Sequence, residues 1–362
     1  MEAKGLFNVA RKEFIGHLTS KKFIVILGLF LIISALAMHQ GINFYNNQLE
    51  SYKEQQSQIK EGSEGPVRWM PEKPTIMLVF MFMSSYIMML GAILAIAMGF
   101  DLVSKEKETK SLKSLLSCPV FRDEIINGKA LGGTLALVFA MGTALLISLA
   151  MLLIFSIVPS MNELAAISVF GIVSIAFLLA YFAIALMMST VSGDSGSALI
   201  YTLVIFFILG SLLPIVGHTV AGMVTGEPPE PPAFEFDIRD ETDESEGPTI
   251  KEVPEEEMQQ YQEEVRTYWE KRRHITEAFN IISPNMNYQK ISFLISNPQI
   301  YSAVYEQSTP FTSTGYFTGG SETAPGLQEM LEKVWKNVLA LIIFSVVFFA
   351  IAYVKFMRLD IR

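Results

Sequence analysis

The chain has 362 residues, of which 51% are hydrophobic and only 17% are charged. Soluble domains carry nearer a quarter charged residues, so this composition favours a membrane protein. The formal net charge of −9 is concentrated in one segment, because thirteen acidic and two basic side chains lie between Glu227 and Glu257. This local acidity indicates no nucleic-acid partner. The one cysteine, Cys118, excludes an intrachain disulfide and a cysteine-ligated zinc site.

The apolar residues are clustered in segments long enough to cross a bilayer core of about 30 Å, for which a helix needs about 20 residues. The first apolar segment follows a charged helical segment, and no small-residue cleavage site comes soon after it, which favours a retained span over a signal peptide. The sequence therefore predicts an all-α membrane protein with six transmembrane helices. They are predicted at Phe23–Met38, Thr75–Phe100, Leu131–Val158, Ala165–Met188, Ala198–Val216 and Val338–Lys355.

Basic residues concentrate at the N-terminus, in the loop after the second span and in the C-terminal tail. Six spans place all three on one side, which predicts cytoplasmic N- and C-termini in the plasma membrane. An apolar repeat near 3.6 residues also predicts a helix from Glu255 to Ile282, ended by Ser283-Pro284. The predicted parts are an N-terminal interface helix at 1–22, spans one to five at 23–216 with a coupling segment at 101–129, an extracytoplasmic acidic and helical region at 217–336, and the sixth span with its tail at 337–362.

The predicted spans hold no charged residue between their ends, and the chain has no G-x-x-x-x-G-K-[ST] phosphate loop. Ion-coupled transporters usually need ionisable groups near the membrane midplane. Any transport by this chain would therefore draw its energy from a partner.

The stretch Gly193-Asp194-Ser195-Gly196-Ser197 resembles the surroundings of a serine-protease nucleophile. That chemistry needs a histidine base and an orienting acid at the same place. The predicted topology puts three of the four histidines on the other side of the membrane from Ser195, and the sequence does not place the fourth, His17, beside it. Glycine and serine are also ordinary turn residues, so a turn is the favoured interpretation. An intramembrane serine hydrolase is the weakest of the functions considered. The 19 methionines are better explained as flexible apolar packing than as copper ligands.

The coupling segment, residues 101–129, holds the most informative pattern. A helix is predicted to begin at Ser104, which can cap it, with acidic residues in the first turn and an apolar stripe at helical spacing, and to end at Pro119. A second short helix follows. This amphipathic helix-break-helix either lies on the lipid surface or docks a partner. The acidic pair is Glu106 and Glu108, and the stripe is Leu112, Leu115 and Leu116.

The coupling segment resembles the signature of permease subunits of type-2 ABC exporters, E-R-E-x-G-T-L-x-x-L-L-x-x-P-V-x-R-x-x-I-x-x-G-K. Lys110 replaces the usual glycine, and we expect the helix to continue through it because lysine is the better helix former. Ser283-Pro284 with Tyr288 resembles a pattern of the multicopper-enzyme-maturation subgroup. The residues in register are Glu106, Glu108, Leu112, Leu115, Leu116, Pro119, Val120, Arg122, Ile125, Gly128 and Lys129.

The resemblance implies a permease subunit that pairs with a second permease copy in the bilayer and docks a separate ATPase subunit. ATP and Mg²⁺ would bind to that partner, so no catalytic, cofactor or metal site is expected in this chain, and the chain is not expected to be an enzyme. Docking and coupling are expected at Glu106, Glu108, Leu112, Leu115, Leu116, Pro119, Arg122 and Lys129. The N-terminal segment resembles the family's interface helix, with expected contact residues Phe7, Arg11, Lys12 and Phe14.

Span two also carries a face of small residues, Gly91, Ala95 and Gly99, at four-residue spacing. Such a face allows close helix packing, either against a second subunit or within one chain. The main alternative to a permease is a non-transporting membrane anchor or sensor with an extracytoplasmic binding region. The spans are compatible with lipids, peptides, drugs or ions as substrate, and the acidic segment either binds cations or basic peptides or is a solvated linker.

Overall fold

The structure is a computed structural model that describes residues 3–60, 73–111, 121–232, 236–237, 249–250, 254–301 and 326–359. Within these residues, six helical stretches are long and apolar enough to cross a membrane, which confirms the predicted all-α membrane protein with six spans. Each is longer than its apolar segment, because helical hydrogen bonding continues into the flanking polar residues. In chain order, spans 1 to 6 are Lys21–Ser57, Leu78–Glu108, Arg122–Ile154, Met161–Val191, Ser195–Thr225 and Gln328–Met357.

The described helices form these spans or lie before and between them. One pair of two-residue strands, β1 (Phe236–Asp237) and β2 (Thr249–Ile250), is antiparallel. Spans 2 and 5 each contain a π-helical segment, Ile87–Gly91 and Ile208–Leu212. The helices are α1 (Ala3–Thr19), α2 (Lys21–Lys60), α3 (Leu78–Tyr86), α4 (Ala92–Gly99), α5 (Ser104–Glu108), α6 (Arg122–Ile154), α7 (Met161–Val191), α8 (Ser195–Phe207), α9 (Leu213–Thr225), α10 (Glu255–Asn280), α11 (Pro284–Ser296), α12 (Pro298–Tyr301) and α13 (Leu327–Met357).

The small-residue face of span 2 packs against span 4 of the same chain. A Cβ added at Gly99 would lie 2.7 Å from Ala185 Cβ and 2.9 Å from Phe182 O, and one added at Gly91 would lie 2.8 Å from Leu178 Cδ2. Ala95, between the two glycines, is fully buried. The structure thus places this face in an intrachain contact that only small side chains permit.

The helix predicted from Glu255 is present as α10, and it runs antiparallel to α9. The Tyr268 hydroxyl donates to the Gly226 carbonyl at 3.1 Å near the C-terminal end of span 5. Further along, a Cβ at Gly217 would lie 2.5 Å from Phe279 Cβ, so the two helices touch at a glycine. The chain after residue 254 therefore returns along span 5 toward the middle of the bundle.

Helix α11 packs among the spans, although the sequence places residues 217–336 wholly outside them. Ser283 caps it by accepting from the Met286 N–H at 3.3 Å, and Pro284 occupies the first turn, where its missing N–H is harmless. A Cβ at Gly210, midway along span 5, would lie 2.6 Å from Asn285 Nδ2. With 13 residues, α11 is about 20 Å long and too short to cross the bilayer.

Asn285, Asn287 and Tyr288 of α11 are buried, and their side chains are hydrogen-bonded to neighbouring helices or to the turn before α11. The Tyr181 hydroxyl donates to Asn285 Oδ1 at 2.7 Å, and the hydroxyls of Tyr288 and Ser174 lie 2.9 Å apart. Asn287 Nδ2 donates to the carbonyl oxygens of residues 281 and 283, at 2.8 and 2.9 Å. Asn337 in span 6 donates to Asn287 Oδ1 at 2.7 Å. These bonds join α11 to spans 4 and 6.

Replacing Asn287 with alanine should destabilise the protein, because it leaves the Ile281 carbonyl and the Asn337 amide without their partner and removes one of the two hydrogen bonds to the Ser283 carbonyl. An unsatisfied buried polar group costs about 1–3 kcal/mol, so we expect a clear fall in the thermal unfolding midpoint in detergent. The control is Asn162→Ala, which alters an exposed asparagine at the start of α7. Equal midpoints for the two variants would contradict the anchoring role of Asn287.

Candidate coupling site

Helix α1 occupies the residues predicted for the interface helix, and it lies along the first turns of α6. A Cβ at Gly128 would lie 2.7 Å from Val9 Cβ, and one at Gly132 would lie 2.7 Å from Glu13 Cβ and 2.8 Å from the Ala10 carbonyl oxygen. The two glycines are four residues apart, which lets the backbones approach closely. On α1, Phe14 is half-buried, whereas Phe7, Arg11 and Lys12 are exposed and available to another surface.

Three charged side chains join α1, α5 and α6. The Lys129 side chain is only 2% exposed, and its Nζ lies 2.9 Å from Glu13 Oε1 and 2.7 Å from Glu106 Oε1. An ammonium group in such surroundings must be paired, because removing an unpaired charge from water costs several kcal/mol. We call Lys129, Glu13 and Glu106 the lysine cluster. Burial lowers the pKa of nearby His17, so at neutral pH its imidazole adds no second positive charge there.

The end of span 2 is bonded to the end of span 4 and to the start of span 1. Ser189 Oγ accepts from the backbone N–H groups of residues 103 and 104, both at 2.9 Å. Lys107 Nζ donates to the Thr190 carbonyl at 2.5 Å and to the Ser192 carbonyl at 3.0 Å. On the other side, Lys22 pairs with Asp101 at 2.7 Å. The sequence singled out none of these pairs.

The turn between spans 4 and 5 also contacts the coupling segment. Ser195 donates to Glu108 Oε2 from its hydroxyl at 3.0 Å and from its N–H at 3.3 Å. Asp194 caps α8 by accepting from the Ser197 N–H at 2.8 Å, and this bond lowers the pKa of Asp194. Among the described residues, the side chains bonded to Ser195 are Glu108 and, at 3.5 Å, Ser104. The histidine base of a serine hydrolase is therefore not assembled in this part of the structure.

Arg122 links the start of span 3 to the end of span 6. Its Nη1 donates to the carbonyls of Met357 and Leu359, at 3.2 and 3.1 Å, which satisfies carbonyl groups that a helix end leaves unpaired. Together with the contacts of Lys22, Lys107, Lys129 and Ser195, this bond brings one end of all six spans to a single face of the bundle. Leu112, Leu115, Leu116 and Pro119 lie outside the described residues, and their docking role stays a prediction.

The helix predicted to pass through Lys110 ends before it, so that prediction is wrong. The helix α5 ends at Glu108, and Lys110 has a φ of 56°, in the left-handed region. Residues with a Cβ atom rarely adopt this region because Cβ clashes with the backbone, whereas glycine adopts it freely. The glycine of the type-2 signature at this position is therefore explained by backbone conformation, which helix propensity does not capture. Ser104 also does not cap α5, since its hydroxyl donates to the Phe100 carbonyl at 2.8 Å.

Fold and site together define a helical membrane protein of six spans. One end of each span lies at the same face of the bundle, together with α1 and the described parts of the coupling segment. Residues 7–361 match the family described as ABC-2 family transporter protein. The chain belongs to this family, whose members are membrane components of ABC transporters. This confirms the resemblance to the type-2 permeases, while the link to the multicopper-enzyme-maturation subgroup stays a prediction. No curated protein matches the chain.

Replacing Lys129 with methionine should destabilise the protein by leaving two carboxylates without their cation. Removing one partner of a buried ion pair costs about 3–5 kcal/mol. We expect the lower end of that range, because the Glu13 and Glu106 side chains keep 16% and 20% of their surface exposed. Denaturant unfolding in detergent measures the loss.

Lys129→Met should lower the free energy of unfolding much less when Glu13→Gln and Glu106→Gln are also present, because no charge is then left unpaired. Lys105→Met, at an exposed position on α5, is the charge-matched control. If Lys129→Met lowers the free energy of unfolding equally in the parent and in the Glu13→Gln, Glu106→Gln variant, the ion-pair explanation is contradicted.

Lys110→Gly should stabilise the protein, because the left-handed conformation costs a side-chain-bearing residue about 1–2 kcal/mol. Glycine also loses more backbone entropy on folding, so the expected net gain is up to about 1 kcal/mol. Lys110→Ala should give no such gain. As a matched control, Lys105→Gly within α5 should lose stability, by about 1 kcal/mol. Thermal midpoints of the four proteins, including the parent, test the assignment.

Proposed function

We propose that this chain is the permease subunit of an ABC exporter that works as a dimer with a second permease copy and docks a separate ATPase subunit. Family membership supports a role in an ABC transporter. The absence of a phosphate loop from the sequence agrees with an external ATPase. The observation that carries the proposal furthest is the lysine cluster, because it joins the interface helix and two spans directly beside the predicted docking segment.

In this proposal, the ATPase contacts the stretch between Glu108 and Arg122. A displacement of that stretch would act on both of its flanks. On the side of Glu108, the bonds to Ser195 and the cluster of Lys129 reach spans 5 and 3 and helix α1. On the side of Arg122, the bonds to the end of α13 reach span 6.

We further propose that the linked face is cytoplasmic and that the protein resides in the plasma membrane. Basic side chains at this face include Lys22, Lys105, Lys107, Lys355 and Arg358, which is the distribution expected on the cytoplasmic side. The exposed Arg11 and Lys12 of α1 add to it. ATP and Mg²⁺ would then be bound by the partner on this side.

A co-purification experiment tests the docking assignment. Candidate ABC ATPase subunits from the same genome are co-expressed with the tagged permease, and the retained ATPase is identified. We expect Leu112→Asp with Leu115→Asp to abolish retention, because two charges would replace the apolar stripe.

The control is Met161→Asp, which places a charge at an exposed apolar residue at the opposite end of the bundle and should leave retention intact. Thermal unfolding confirms that each variant is folded. Full retention by the double variant would show the docking assignment to be wrong. Failure of every ABC ATPase in the genome to associate with the parent chain would contradict the permease proposal itself.

A further inference from the structure

A pocket of about 330 Å³ lies at the end of the bundle opposite the lysine cluster, where α10 and α11 meet spans 5 and 6. Its walls come from the C-terminal half of α10, the start of α11, His218 in span 5 and the first turns of span 6. It is separate from the coupling segment, and nothing in the proposed docking mechanism uses it.

The pocket is strongly basic. Four cationic side chains line it, against one acid, Glu277, which gives a formal charge of +3 with His218 neutral. Under the orientation proposed above, this pocket lies at the extracytoplasmic end of the bundle. Lysine and arginine are normally enriched on the cytoplasmic side of membrane proteins, so their concentration at the extracytoplasmic end needs a separate reason. The preceding part of the same region is acidic, which makes the local excess of cations more distinct. The four cations are Arg272, Arg273, Lys290 and Lys336.

Two of the four cations, Arg272 and Lys290, are held in place by contacts with their neighbours. Arg272 donates to the Tyr268 hydroxyl at 2.8 Å, lies 3.3 Å from His218 Nε2 and sits 5.7 Å from the centre of the Trp269 ring. Lys290 pairs with Glu277 at 2.8 Å. Fixed guanidinium and ammonium groups lose less entropy on binding an anion than mobile ones do.

The pocket also offers an unused hydrogen-bond acceptor. Asn280 Oδ1 is buried and has no hydrogen-bond partner among the described residues. A buried amide oxygen without a donor is unfavourable, and a hydroxyl group supplied by a ligand would satisfy it. Cationic donors beside such an acceptor suit a ligand that combines a phosphate group with hydroxyl groups.

Two tryptophans indicate that the pocket lies at the level of lipid headgroups. Trp269 lines it and is 37% exposed, and Trp335, next to Lys336, is 54% exposed. Exposed tryptophans of membrane proteins concentrate at the membrane–water interface. Ile282, beside the pocket-lining Ile281, is also exposed and apolar. This setting favours a ligand presented by the bilayer over an anion from solution.

We propose that this pocket binds the phosphate-bearing, hydroxylated headgroup of an anionic lipid. Arg272, Arg273 and Lys336 bind the phosphate, and Asn280 accepts a hydrogen bond from a headgroup hydroxyl. The site requires no ATPase partner, so it stands or falls independently of the permease proposal.

The test uses the emission of Trp269 in full-length protein that carries Trp69→Phe and Trp335→Phe. The protein is reconstituted in phosphatidylcholine nanodiscs that contain increasing fractions of phosphatidylglycerol. Inorganic phosphate is added separately to pure phosphatidylcholine nanodiscs at matched ionic strength. We expect a saturable change in emission with phosphatidylglycerol and none with inorganic phosphate.

The pocket variant is Arg273→Gln with Lys336→Gln, and it should weaken the apparent affinity at least about tenfold. Arg272 is left intact because it also holds Tyr268. The matched control, Lys271→Gln with Lys333→Gln, removes two positive charges from the same two helices at positions that do not line the pocket, and should behave like the parent.

An equal loss in the control and pocket variants would show a general charge effect and overturn the proposal. A phosphatidylglycerol response that the pocket variant retains would overturn it as well. Saturation by inorganic phosphate without preference for the anionic lipid would identify a soluble anion as the ligand. No response to any lipid, as expected if the acidic segment of the same chain filled the pocket, would also contradict a lipid site.

Discussion

The buried ammonium group of Lys129 is the constraint on which one whole end of the protein depends. A lysine side chain that is only 2% exposed stays charged only if opposite charges lie next to it. Glu13 and Glu106 meet this need from helices that are far apart in sequence, so α1 must lie against α6 and the end of span 2 must come close to both. Gly128 and Gly132 make that approach sterically possible. Charge and small-residue packing thus fix the same arrangement.

The other end is organised by hydrogen bonding in an apolar setting. Inside a bilayer no water is available to satisfy an amide or hydroxyl group, so polar residues must find partners in the protein. Helix α11 can therefore enter the bundle only because Asn285, Asn287 and Tyr288 each meet a polar partner on another helix or in the turn before it. The same requirement explains why Ser174 and Asn337, scattered polar residues in the spans, stand where they do.

The sequence predicts the spans well, because long apolar segments leave few alternatives, and α10 follows from its 3.6-residue repeat. Helix α11 is harder to predict, since 13 residues of mixed polarity resemble a loop helix as closely as an embedded one. The pairing of Lys129 with Glu13 joins residues 116 positions apart, which no local pattern reports. The helix predicted through Lys110 is wrong for another reason. The path of the chain sets the conformation of Lys110 and overrides its intrinsic helix propensity.

The proposed docking face and the basic pocket lie at opposite ends of spans that are not uniform rods. The π-helical segments of spans 2 and 5 both contact α11. Such segments interrupt regular hydrogen bonding and are places where a helix can bend. Span 5 begins at Ser195, bonded to Glu108, and passes its π-helical segment beside Asn285 before it reaches the pocket wall at His218. Under the proposed function, a displacement that enters span 5 at its cytoplasmic end therefore meets its first irregular segment at α11. Because the start of α11 also forms part of the pocket, bending there would change the spacing of the pocket's cations, so lipid occupancy and movement of span 5 would be coupled.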